Sequence, residues 1–282
     1  MSTNRRLSRA RSLTRREALK RGGRAALKAG ALGLGAATLG AGGLLLPPAE
    51  VHAIDWSALF RKRMPDVSGT VRTIEGMAYV ENRPLHLGDT VPSGALVRVA
   101  EDGRIVIGLA DGGIFTVYGG SELELFLEKM SQGVLNLLAG ALLMVAPKGS
   151  RYLIAGSDAT FGIKGTVVYR KVVTAKERMM YGPGASMEIP AGATGYFCTC
   201  NGAVDFLHGT NTGEGRTLTP FHESLATHHN AQFLVPGAAG ARVSAPRIHT
   251  APMLGHTDQE ISALVGMQDP AHRHPIDWLR PM

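Results

Sequence analysis

The chain has 282 residues, a formal net charge of +7, two cysteines and ten histidines. The charge is uneven: the first 53 residues hold ten Lys/Arg against Glu17 and Glu50, a net of +8, and the remaining 229 hold 20 basic and 21 acidic side chains, a net of −1. The basic excess therefore belongs to the N-terminal stretch, which excludes a basic nucleic-acid-binding body, and no nucleic-acid partner is expected.

Residues 1–53 have the three parts of an export signal: a basic start, an apolar run rich in Ala and Gly, and small residues at Val51-His52-Ala53 where a signal peptidase cuts. The stretch "LTRREALK" before the apolar run resembles the twin-arginine signal. Thr14, Arg15, Arg16, Leu19 and Lys20 match it, and Ala18 replaces the usual Phe. The resemblance implies export of the folded protein by the twin-arginine machinery, with any cofactor loaded in the cytoplasm. The alternative is an uncleaved inner-membrane anchor, although Gly and Ala bury little apolar area for a membrane span. The expected compartment is the bacterial periplasm, an oxidising space that permits a disulfide.

Residues 54–67 read as a linker. From 68 to about 175, short runs of apolar and β-branched residues alternate with Gly, Pro and Asp-Gly breaks. This pattern predicts an all-β domain of short strands joined by tight turns. Strict alternation in "RIVIGL" and "SELELFL" predicts one face packed inward and the other wet. Gly88, Asp89, Asp102 and Gly103 are expected to make turns.

The stretch "RPLHLGDTVPSGALVRVAEDGRIVIGLADGGIFTV" resembles the FecR domain, with Gly88-Asp89-Thr90-Val91 and Asp102-Gly103 at the family's turns. Gly165 and Thr166 are similar to its closing segment. The resemblance covers about residues 68–173 and implies an extracytoplasmic β-roll or coil of short strands. Well-known family members regulate sigma factors through a cytoplasmic domain ahead of a membrane segment. Only 14 residues precede Arg15, so that role is not expected here.

Residues 176–268 form a second, small β-rich segment that contains both cysteines and closes with a short helix. The stretch "YFCTCNGAVDFL" reads as a β-hairpin around Asn201-Gly202, the dipeptide preferred in a type I′ turn. On the first strand Tyr196, Cys198 and Cys200 share one face, with Phe197 and Thr199 on the other. Both sulfurs can then reach one ion. Eight of the ten histidines follow Cys200. His228 and His229 stand just before a strand-like run, and His256 stands just before a helix start where Thr257 and Glu260 have capping-box spacing. The segment is similar to the C-terminal region of a subset of exported FecR-domain proteins. The elements that match are Tyr196-Phe197-Cys198, Cys200, Gly202, His228-His229, His256-Thr257-Asp258, Glu260 and Leu264-Val265-Gly266.

Two thiolates with two or three imidazoles suit one transition metal ion, zinc or iron, with copper as a third choice. The candidate ligands are Cys198, Cys200, His228, His229 and His256. Adjacent residues on a strand face opposite ways, so one of His228 and His229 is expected to ligate and the other to support it. The polar, Gly-rich chain between Cys200 and His228 costs about 3 kcal/mol to close, which a metal bond can offset. Two other readings stay open: a Cys198–Cys200 disulfide, whose in-line geometry lies near the upper limit for a bridge, or inert core thiols with solvated histidines. His272 and His274 lie in residues 269–282, read as a flexible tail.

The sequence carries no hydrolase or transferase motif. It predicts a binding or sensing protein of the cell envelope, with an envelope protein or a glycan as partner. The rivals are a periplasmic iron or copper electron-transfer protein and a metal-free scaffold.

Overall fold

The computed structural model describes residues 67–182 except 130, together with 184, 187–207, 216–218, 229–235 and 247–274. The leader, residues 54–66, His208, His222 and His228 lie outside the described residues.

The strands, in chain order, are β1 (Ser68–Glu75), β2 (Ala78–Val80), β3 (Arg83–Pro84), β4 (Thr90–Pro92), β5 (Ala95–Val99), β6 (Arg104–Leu109), β7 (Ile114–Tyr118), β8 (Glu122–Lys129) and β9 (Gln132–Ala139). They continue with β10 (Ala141–Val145), β11 (Arg151–Ala155), β12 (Thr160–Ile163), β13 (Val167–Val172), β14 (Gly195–Asn201), β15 (Val204–Leu207), β16 (Arg216–Leu218), β17 (Asn230–Val235) and β18 (Arg247–Thr250). Two short helices, α1 (Ala175–Met180) and α2 (Asp258–Gly266), complete the described elements.

The strands form two nine-stranded sheets, which bears out the mostly β expectation. Sheet I runs β18-β17-β14-β13-β10-β7-β6-β1-β4, and sheet II runs β16-β15-β12-β11-β9-β8-β5-β2-β3. Consecutive strands repeatedly take matching places in opposite sheets, as β1/β2, β3/β4, β5/β6, β7/β8 and β9/β10 do, so the chain rolls back and forth between layers. The pairing is antiparallel except between β9 and β11.

Glycines stand at these crossings. The run "GVLNLLAGALLMV", apolar but for Asn136, is cut in two at Gly140: β9 belongs to sheet II and β10 to sheet I. Gly140 has φ of 77°, and a Cβ there would collide with Ser121. Only glycine meets both demands. The Gly88 turn is as expected: the Asp89 carboxylate accepts hydrogen bonds from the His86 N–H at 3.1 Å and from Arg83 at 2.9 Å.

The expected hairpin at Asn201-Gly202 is a correction. β14 pairs with β13 and β17 in sheet I, while β15 pairs with β12 and β16 in sheet II. Asn201-Gly202 is therefore a corner between layers, stacked on the parallel corner at Gly165-Thr166. The local turn signal is the same for both. What separates them is that Phe206 and Val204 turn into the space between the sheets, where apolar residues of both layers form one cluster.

The middle of sheet I is buried on both faces. Its inner face packs on sheet II through residues such as Ile107, Phe115, Met144 and Phe197. Its outer face carries Leu143, Val145, Tyr169, Tyr196, Cys198 and Cys200 and is covered by Ile261, Leu264 and Val265 of α2. Burying three such side chains contributes about 1.5–3 kcal/mol each as an upper bound. The sheets run without interruption across residue 175, because β13 pairs with β14.

A buried ion pair lies in the inner layer. Arg170 on β13 is fully buried and pairs with Asp158. Its Nη1 donates to the carbonyls of Lys171 and Tyr196 at 2.9 and 3.1 Å, and Thr194 Oγ1 donates to Asp158 at 3.0 Å. The guanidinium lies 5.6 Å from the centre of the Phe161 ring, which stacks on Phe197 beneath β14. Removing one partner strands the other's charge in a dry site. Arg170→Met is expected to lower unfolding free energy by about 3–5 kcal/mol in urea titration, with most of the loss recovered in Arg170→Met/Asp158→Leu. A single variant as stable as the parent would contradict this.

Candidate metal centre

The site is built on the outer face of β14. Its i, i+2 spacing places Cys198 and Cys200 on that face, with their sulfurs 3.7 Å apart and fully buried. Both are free thiols rather than a disulfide. The Cys198↔Ala231 and Thr199↔Asn230 pairing with β17, extended by one residue, sets position 229 opposite Cys200. His229 Nδ1 lies 3.4 Å from Cys198 Sγ.

The fourth member comes from the segment that leads into α2. Tyr196, on the same face as the cysteines, holds this segment through its hydroxyl. That hydroxyl donates to the Pro252 carbonyl at 3.0 Å and accepts from the Leu254 N–H at 2.9 Å. Gly255, at φ of 72°, lies against the Tyr169 hydroxyl where a Cβ would collide. His256 follows. Its Nε2 reaches Cys200 Sγ at 3.2 Å, and its ring stacks on Tyr169 with centroids 4.4 Å apart. Thr257 caps α2 in a complete capping box with Glu260, as the spacing predicts.

One atom from each of Cys198, Cys200, His229 and His256 lies within 4.8 Å of the others, so the group can hold a metal ion. With zinc bonds of about 2.3 Å to sulfur and about 2.0–2.1 Å to nitrogen, a tetrahedron puts donors about 3.8 Å apart for S···S and about 3.5 Å for S···N. The separations of 3.7, 3.4 and 3.2 Å match that size.

The nitrogens that face away from the sulfurs are also satisfied. His229 Nε2 lies 2.9 Å from Asp258 Oδ1, and His256 Nδ1 lies 2.8 Å from the Leu254 carbonyl. With a metal bound, each acceptor would take the hydrogen bond of the far N–H and leave the near nitrogen's lone pair for the ion. Ligating histidines are oriented in this way. Burial pushes both thiols up. At Cys198, hydrogen bonds from Cys200, His229 and His256 outweigh it and hold the thiol well below its ordinary range. Cys200 stays well above that range through burial and its neighbour Cys198. Burial pulls His229 down, but Cys198 and Asp258 more than compensate and raise it.

Four of the five sequence-derived site residues are thus brought together, and the fifth, His228, lies outside the described residues. Asp258, the Leu254 carbonyl, Tyr169 and the Tyr196 hydroxyl were not anticipated as partners. Asp258 had a signal: a carboxylate two residues after a candidate His and in the first turn of a helix. A backbone carbonyl has none. Of the tail histidines, His274 is buried, and its N–H donates to Gln268 Oε1 at 2.8 Å.

No family model matches the chain, and no curated protein matches it. Among solved structures the chain is similar to a proposed anti-sigma factor from Parabacteroides distasonis. The match has a TM-score of 0.38 and 10% identity, and it covers 61% of this chain and 65% of that one. The chain thus spans about two thirds of that protein's length.

Without metal, the folded value of His229 lies above the unfolded one near 6.5. Its contribution to stability is full below that pH and is lost as pH rises through the raised value. Metal binding requires neutral imidazoles and ionised thiols and has the opposite slope. Urea midpoints followed from pH 5.5 upward are therefore expected to show a stabilisation by added zinc that grows with pH. A gain from zinc that is largest at acid pH would contradict the assignment.

Proposed function

We propose that this chain is an exported protein of the cell envelope with a binding or sensing role, built on a FecR-like β-roll and carrying one zinc ion at Cys198, Cys200, His229 and His256. The reading rests on the closed four-donor set, in which two thiols and two imidazoles lie at tetrahedral spacing and each His is oriented by its own acceptor. Closed four-ligand sites hold structural metal, whereas catalytic sites keep a position open. A tetrahedral S2N2 set favours zinc. A Rieske cluster puts its two Cys on one iron and its two His on the other. Here each His lies 3.2–3.4 Å from a cysteine sulfur, a spacing suited to one ion.

In this reading Cys198 and Cys200 supply the negative charge, His229 and His256 complete the tetrahedron, and Asp258 and the Leu254 carbonyl hold the two rings. The ion ties β14, the start of β17 and the entry to α2 together. Export by the twin-arginine route, with Arg15 and Arg16 as its signal, lets the metal bind while the thiols are still reduced. Among the described residues no helix is long and apolar enough to cross a membrane.

Elemental analysis and a visible spectrum of natively exported protein, beside Cys198→Ser/Cys200→Ser, test the reading. One equivalent of zinc without colour, lost in the variant, is expected. Iron or copper with a thiolate charge-transfer band would move the function to electron transfer, and no metal in the parent would leave a β scaffold. Separately, Arg15→Lys/Arg16→Lys is expected to hold the protein in the cytoplasm, seen by fractionation. Undiminished export of that variant would remove the twin-arginine assignment.

A further inference from the structure

We infer that the metal acts as a latch on α2, so that its loss frees this helix from sheet I while the two sheets stay folded. The inference rests on the metal-binding reading above and adds to it what the ion controls. Three consecutive residues join the site to the helix. His256 lies against Cys200 at 3.2 Å, Thr257 caps α2, and Asp258, its first residue, lies 2.9 Å from His229 Nε2. The start of α2 is thus tied to the four-residue group from two sides.

The remaining supports of α2 are few. Its nine residues are too short for a stable isolated helix. Ile261, Leu264 and Val265 pack on the outer face of sheet I. Glu260 meets Arg104 at 3.3 Å in a partly exposed pair of the kind that contributes little. Beyond the helix, Gln268 Nε2 donates to the Gly112 carbonyl at 2.7 Å.

The sheets are held differently. The cluster between the layers contains neither cysteine, and both lie in the cluster on the outer face. Loss of the ion therefore removes a fastening from the outer layer and leaves the inter-sheet core intact. Freed from α2, the outer face exposes Val106, Ile114, Leu143 and Val145, an apolar surface hidden while metal is bound. This gives the sensing role a physical output.

Native-state hydrogen exchange by mass spectrometry on the full exported chain, zinc-loaded and chelator-stripped, tests the latch. Stripping is expected to speed exchange at the amides of Ile261 to Met267 by roughly tenfold or more, with β1, β6 and β9 still protected and an apolar dye newly bound. Asp258→Ala is expected to weaken zinc by about 10- to 100-fold through His229, and Asp258→Asn, which keeps an acceptor, to restore most of it. If the loaded chain holds zinc but stripping leaves α2 protected, the latch is wrong and the metal site stands. If β1, β6 and β9 lose protection together with α2, the ion holds the whole fold and the latch is again wrong. If the chain holds no metal, the site and the latch fail together.

Discussion

β14 is paired on both edges and buried on both faces, and the molecule is arranged around that constraint. A pleated strand must send alternate side chains to opposite sides. Phe197 goes inward, stacks on Phe161 and joins the core between the sheets. Tyr196, Cys198 and Cys200 go outward into a layer that is dry but holds polar atoms. Buried polar groups need partners, and each of the three has them. The Tyr196 hydroxyl takes the backbone of Pro252 and Leu254, and the sulfurs take His229 and His256. The path of the C-terminal segment back over sheet I follows from these contacts.

Much of this was legible because it depends on short-range rules. Alternation along "YFCTC" separated the two faces of β14 correctly, and the Thr257–Glu260 spacing located the start of α2. The expectation that one histidine of the His228-His229 pair ligates came from the same strand rule, and His228 lies outside the described residues. Choosing His229 needed the register with β17, which depends on how a distant segment pairs.

What was not legible depends on long-range packing. Asn201-Gly202 favours a tight reversal whether the next strand pairs with the last or crosses to the other layer. Hydrophobic surface between the layers decides it, and the crossing wins. The break of the run through Gly140 into β9 and β10 depends on Ser121 and the sheet corner. The buried pair of Arg170 and Asp158 carries no short-range sequence signal. Asp158 pairs with Arg170, and Thr194, far away in sequence, donates to Asp158.

The four donors come from three stretches of chain, β14, the start of β17 and the entry to α2, and are almost wholly buried, so an ion would reach them only when those stretches come together. In the proposed reading, metal binding is coupled to docking of the C-terminal segment. X-ray absorption at the metal edge, on protein purified from its native compartment, tests the central claim most directly. The account predicts a mononuclear shell of two sulfurs at about 2.3 Å and two nitrogens at about 2.0–2.1 Å. A shell of oxygen and nitrogen only, or a second metal at short distance, would contradict it.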